Sequence, residues 1–174
     1  TGLTTDGLFR SHKISHGCDP TGLGRWCFSR FRGKSNTSVC TYAAYCPVKN
    51  SRDPGSVWNQ HRRYFFEQGM PDSDPRLKFL ADLVADVKCK INAGDSIIIG
   101  VDHNGDVRSD VLSTALKDLD LRNAILSQHY HLSSPATHNR NTNRVPIDAI
   151  WVSVGVEIIN SGYCAFHESP GILS

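Results

Sequence analysis

Asp102 and Asn104 stand two residues apart at the end of an apolar run, Ser96-Ile97-Ile98-Ile99-Gly100-Val101. The run is Ile-rich and bounded by Gly94-Asp95 and Gly105, which predicts a buried strand. Side chains two apart on a strand share a face, so a carboxylate and an amide should leave the sheet together. Such a pair can hold a water, a metal or a phosphate. Asp102 would orient or deprotonate an attacking water, and Asn104 would donate to a phosphate oxygen or ligate a metal's water shell. A competing reading is structural, because Asp and Asn also close strands through an Asx-turn before a Gly. A calcium loop using Asp102, Asn104 and Asp106 fails on spacing. Val107 stands where that loop needs Gly, and Ser113 where it needs a bidentate Glu.

Two further positions could do chemistry. In Ile147-Asp148-Ala149-Ile150-Trp151-Val152-Ser153 a carboxylate interrupts an apolar strand. A buried carboxylate needs a partner. Asp148 would either accept from a His ring N–H and fix its tautomer, or cap a loop amide. Tyr45, in Tyr42-Ala43-Ala44-Tyr45-Cys46-Pro47, ends a strand before a proline-stopped loop. Its hydroxyl could reach a phosphate, or its ring could simply pack in the core.

The elements that must position these residues follow from periodicity and punctuation. Residues 1–21 are rich in Gly, Ser, Thr and His and read as irregular. Gly24 to Arg32 alternates and predicts a strand, Gly33 to Asn36 a turn, and Val39 to Tyr45 the second arm of a hairpin. Val57 to Gln68 reads as a helix ending near Gly69. Asp74-Pro75 opens a stronger helix whose apolar stripe is Leu77, Leu80, Ala81, Val84, Val87 and Ile91. A helix capped by Ser109 or Asp110 runs to Leu119, and Arg122 to Gln128 adds a turn or two. Ser133 to Arg144 reads as a polar loop, with strands over Pro146 to Ser153 and Glu157 to Phe166. Helices alternate with strands, but two strand pairs are adjacent in sequence. The class is therefore α/β with mixed sheets and outer helices.

At 174 residues the chain is one domain or most of one, and its 39% hydrophobic and 21% charged content fits a soluble globular protein. A net charge of +2 does not by itself imply a nucleic-acid binder. The basic residues are clustered, however: Arg25, Arg30, Arg32 and Lys34; Arg62-Arg63; Arg140 with Arg144. Such a face could meet a phosphate backbone or merely be solvated. The six cysteines contain no Cys-x-x-Cys and no zinc spacing, which points to an intracellular, reducing compartment. No apolar stretch is long enough to cross a membrane. Thr1 and the Ser169-Pro170-Gly171 tail read as cut ends.

Taken in order, Tyr45-Cys46-Pro47, Gly100-Val101-Asp102-His103-Asn104 and Ile147-Asp148-Ala149-Ile150 resemble the endonuclease/exonuclease/phosphatase (DNase I-like) superfamily. That family carries a strand ending Tyr-x-Pro, a Gly-Asp-x-Asn and an Ile-Asp-Tyr-Ile-like strand. Val101 is inserted between the Gly and the Asp of the second motif. Gly22-Leu23-Gly24-Arg25-Trp26 and Arg32-Gly33-Lys34 are similar to the hairpin of endonuclease-like proteins of mobile elements. The resemblance implies a four-layer α/β/β/α sandwich of two mixed sheets, truncated at both ends, with residues 22–174 forming the partial domain.

It also implies metal-dependent phosphodiester hydrolysis with Mg2+ or Mn2+, and DNA as the nucleic-acid partner. Asp102 would align the water, Asn104 bind the scissile phosphate, Tyr45 support it and Asp148 orient a catalytic His. Asp102 and Asn104 would serve the metal. Two family parts are missing: residues 1–21 contain no Glu, and no closing Ser-Asp-His is present, His167 lacking the preceding Asp. A fragment without them is expected to be nearly inactive alone. A phosphatase acting on a small phosphorylated molecule, and a non-catalytic remnant or binding module, remain as alternatives.

Overall fold

The computed structural model describes residues 1–4, 7–108, 111–129, 137 and 145–163. Six strands form one mixed sheet in the order β1-β2-β3-β4-β6-β5. They are β1 (Lys13–Cys18), β2 (Trp26–Arg32), β3 (Ser38–Tyr45), β4 (Asp95–Asp102), β5 (Leu121–Asn123) and β6 (Asp148–Ser153). β3 and β4 pair in parallel and every other pair is antiparallel. The helices are α1 (Leu8–His12), α2 (Val57–Glu67), α3 (Pro75–Asn92), α4 (Val111–Lys117) and α5 (Ala124–Gln128).

A parallel neighbour requires a crossover, and α3 supplies it between β3 and β4. The Asp74 carboxylate accepts from the N–H groups of Arg76 and Leu77, Pro75 occupies the first turn, and Gly94 at φ 84° follows the helix. The helix buries Phe79, Leu83 and Val87 against Trp26, Tyr42, Ile97, Ile99 and Trp151. The expected stripe holds at Val87, Leu80 and Ile91, which lie in or against the core, and fails at Leu77, 59% exposed, and Ala81, also exposed. Phe79 is the bulkiest apolar side chain of this helix, and burying it sets the rotation. Leu112 and Leu116 of α4 complete the same core.

Among the described residues the opposite face of the sheet is only partly covered. Thr41, Ala43, Ile98 and Gly100 are half-buried on it, and Ile150 is 43% exposed. The mixed α/β class holds, but the described residues build one sheet, with α3 and α4 packed on its core face. The second sheet of the expected four-layer sandwich is not among them.

Two local expectations are corrected. The segment read as irregular contains α1 and the edge strand β1, which pairs along β2. Partly exposed edge strands need no apolar alternation, because the ladder itself satisfies their backbone. Residues 157–163 form no strand, and 164–166 lie outside the described residues. At the end of the β1–β2 ladder Asp19 N–H donates to Trp26 O at 2.9 Å. The adjacent pair, Cys18 and Cys27, is therefore of the non-hydrogen-bonded type, which brings side chains closest. Both thiols are free.

Candidate functional site

Register, rather than sequence proximity, assembles the site. The parallel β3–β4 ladder sets Tyr45 beside Asp102, and the antiparallel β4–β6 ladder sets Asp102 beside Asp148. Register partners point to one face, so three predicted site residues form a row across three adjacent strands. The row lies on the partly covered face, where the chain leaves β3 and β4, and each member is half-buried. His103 N–H donates to Ile147 O at 2.7 Å. The neighbouring Asp102–Asp148 pair is thus the non-hydrogen-bonded kind, with Cα atoms about 4.5 Å apart in such pairs.

Asn104 joins the row by a turn rather than by strand alternation. β4 stops at Asp102, and Asn104 sits at φ 48°, a left-handed conformation that Asn tolerates. Its N–H donates to Asp102 Oδ1 at 3.0 Å, so the Asx-turn is present. Its side-chain Nδ2 donates to Cys46 O at 2.8 Å and ties the end of β4 to the end of β3. An amide nitrogen carries two protons. With one on Cys46, the second has no partner among the described residues. The Asx-turn of the structural reading is therefore present, and the same turn ties the ends of the two strands together.

Other neighbours are fixed by hydrogen bonds. Thr137 Oγ1 accepts from Ile147 N–H and Asp148 N–H, and Tyr163 Oη donates to Asp148 O at 2.6 Å. Burial and the Asp148 charge push the Tyr163 phenol up to about 12. Among the described residues no hydrogen bond joins the Asp148 carboxylate to a His, and His167 lies outside them. His103 is fully buried and accepts at Nε2 from Trp151 Nε1 at 3.1 Å. An indole can only donate, so the ring proton of His103 is on Nδ1. Asp106 pairs with Arg108 at 2.5 Å and is no part of a calcium loop.

Arg76, unremarkable in the sequence, reaches three carbonyls at this end of the sheet: Pro47 O at 3.1 Å, His103 O at 3.0 Å and Asn104 O at 3.3 Å. Of the basic residues, Arg25 is not surface at all. It is buried between Asp19 and Asp82. Lys49, Arg52, Arg62 and Arg63 are exposed after β3, and Lys49, Arg62 and Trp58 line a cleft of about 280 Å3. Arg140 and Arg144 lie outside the described residues.

The donor set suits a hard divalent cation. Two carboxylates directly opposed across strands repel each other unless a cation or proton intervenes. Magnesium is commonly held by one or two carboxylates plus waters and phosphate oxygens. Among the described residues no group of three His, Cys, Asp or Glu converges.

No protein-family model matches the sequence, and no curated protein matches it. Solved structures do match in shape. The human Nocturnin catalytic domain, with bound sulfate, is 15% identical with a TM-score of 0.51. That match covers 83% of this chain and 49% of Nocturnin's. The 3′ phosphatase NExo from Neisseria, bound to a product DNA hairpin, is 14% identical with a TM-score of 0.55, over 82% and 59% of the two chains.

The chain shares the DNase I-like fold of these two solved structures.

This chain spans about half the length of these DNase I-like neighbours. The ends of β3, β4 and β6 are where it gathers the residues of the three motifs. Sequence reasoning missed Arg76, whose only available signal was its place in the first turn of a crossover helix.

Proposed function

We propose that the row Tyr45–Asp102–Asp148, with Asn104, is the phosphate-cleaving end of a metal-dependent phosphodiesterase acting on DNA. The observation that carries it is the register, which brings residues from three separate motifs to one sheet edge. Water attacks phosphorus in line, the ester P–O bond breaks opposite it, and the leaving oxygen takes a proton. Asp102 accepts a hydrogen bond from the water and orients it. The second Nδ2 proton of Asn104 and the Tyr45 hydroxyl donate to phosphate oxygens. Asp148 is the carboxylate that would orient a catalytic His. Asp102 and Asn104, with Asp148 beside them, would hold Mg2+ or Mn2+, which would supply positive charge to the phosphate and lower the pKa of water. The adjacent negative charges of Asp102 and Asp148 would repel an anionic diester without such charge. The exposed Lys49, Arg52, Arg62 and Arg63 give a long phosphate backbone something to meet beyond the reacting group, which favours a polynucleotide over a small phosphoester.

Nicking of supercoiled plasmid by the full-length protein with magnesium tests this reading. Asp102→Ala should lower the rate at least ~100-fold, the usual weight of a positioned acid–base group. Equal nicking by the variant refutes it. A second reading, a non-catalytic binding module, has a specific motive: no His hydrogen-bonds Asp148 among the described residues. It predicts DNA binding that falls steeply with salt and no cleavage under any divalent metal.

A further inference from the structure

The interior, the partly covered sheet face, the cysteine pair and the clefts around α2 all offer features, but Arg76 bears most directly on the site. In a strand–helix–strand crossover the helix runs opposite to its two parallel strands. Its N-terminus therefore lies at the ends where the chain leaves them. α3 follows this rule: Asp74 caps it, Pro75 starts it, and Phe79, Leu83 and Val87 fix it against the sheet. Arg76 in its first turn is thereby placed beneath the loops that follow β3 and β4. Its guanidinium uses two nitrogens on three acceptors, Nη1 on Pro47 O and Asn104 O, and Nη2 on His103 O. One acceptor belongs to the Tyr45-Cys46-Pro47 loop and two to the Asp102–Asn104 turn.

We propose that Arg76 is a positioning residue that clamps the two site loops together and sets where the Asn104 amide points. This rests on the proposed hydrolytic reading for its consequence in rate, but the clamp itself does not. The Asn104 Nδ2 bond to Cys46 O crosses the same gap from the other side, so the two contacts together fix the separation of the loops. A planar fork can serve divergent acceptors at once, and a lysine ammonium on a flexible stem cannot reproduce that geometry. The carbonyls are backbone groups that lie beyond the ends of β3 and β4.

The test uses the full-length protein and the variants Arg76→Lys and Arg76→Gly. In nicking assays both should lose ~10- to 100-fold in kcat, the scale of about 1 Å of misplacement, with KM for DNA changed less than about threefold, as expected when positioning rather than uniform binding is lost. Added methylguanidinium should restore part of the Arg76→Gly rate. A rise in KM at constant kcat would make Arg76 a DNA contact and overturn the proposal, as would unchanged kinetics. Side-chain amide spectra decide the clamp without any activity. In Arg76→Lys the Asn104 Nδ2 protons should shift and exchange faster while the Trp151 indole signal stays in place. Unmoved Asn104 signals overturn the clamp. Movement of the Trp151 signal with them would mean general loosening and also overturns it. Absence of nicking by the parent protein would sink the hydrolytic reading and leave the clamp to the amide spectra alone.

Discussion

Replacing Asp19 by Ala should destabilise the fold by about 3–5 kcal/mol, the range for breaking a buried ion pair from one side. Arg25 has no exposed side-chain surface. Its Nε meets Asp19 Oδ2 at 2.6 Å and its Nη2 meets Asp19 Oδ1 at 2.8 Å, a two-pronged contact. Nη2 also reaches Asp82 at 2.9 Å, and Asp82 is partly exposed. The guanidinium lies 4.8 Å from the Trp26 ring centroid and 6.0 Å from that of Phe65. Without Asp19 the charge stays buried with one wet partner and two ring faces. At roughly 2–4 °C per kcal/mol for a chain of this size, the midpoint should fall by about 6–20 °C. Urea denaturation of Asp19→Ala measures it. The double variant Asp19→Ala/Arg25→Met should recover part of the loss, because it removes the orphaned charge. A single-variant cost below about 1 kcal/mol, or a double variant worse than the single, refutes the reasoning. The pH dependence has a definite direction. Burial pushes the Asp19 carboxyl up, but hydrogen bonds from Arg25 and Thr21 and the Arg25 charge outweigh it and hold it below the usual range. Its contribution is therefore complete above the unfolded value of about 3.9 and lost as pH falls through the lower folded value. The parent should lose stability below about pH 4 more steeply than Asp19→Ala.

Three further outcomes are expected. Asn104→Ala should cost about 1–3 kcal/mol in urea denaturation, since it deletes the bond to Cys46 O and leaves a Cβ-bearing residue at φ 48°. Trp151→Phe should cost a similar ~1–3 kcal/mol by stranding the buried His103 Nε2, and should move the His103 ring nitrogen signals. Oxidised glutathione should join Cys18 to Cys27 as a disulfide, releasing two molecules of reduced glutathione, with a loss of two hydrogens in the intact mass; Cys18→Ser abolishes it.

Much of the sheet was legible because alternation survives wherever one face is buried and the other is not. β4 was legible from its Ile-rich run and β3 from its β-prone residues, so Tyr45 and Asp102 could be assigned to strand ends, while Asp148 was read inside a strand that in fact begins at it. What local pattern does not carry is pairing. Nothing near Tyr45 says that Asp102 lies beside it, since that follows from the parallel ladder and the crossover. β1 escaped notice because its Ser, His and Gly side chains are exposed or half-exposed and hide the strand period. Arg25 looked like part of a basic surface because charge is visible in sequence and burial is not. Its partners Asp19 and Asp82 lie on other segments. Arg76 was invisible for the same reason: its acceptors are carbonyls, and every residue has one.

The parallel pairing of β3 with β4 also bears on how the molecule is made. The β2–β3 hairpin closes over a short turn, whereas the contact from Asn104 to Cys46 spans 58 residues and that from Trp151 to His103 spans 48. Closing loops of that size is entropically slower than closing a hairpin. The hairpin can thus form while the row of site residues does not yet exist. Any state with β4 detached has Tyr45, Asp102 and Asp148 on separate strands. Function at this edge should therefore vanish together with the global fold during unfolding, rather than fade ahead of it. In that sense the site doubles as a reporter of completed topology.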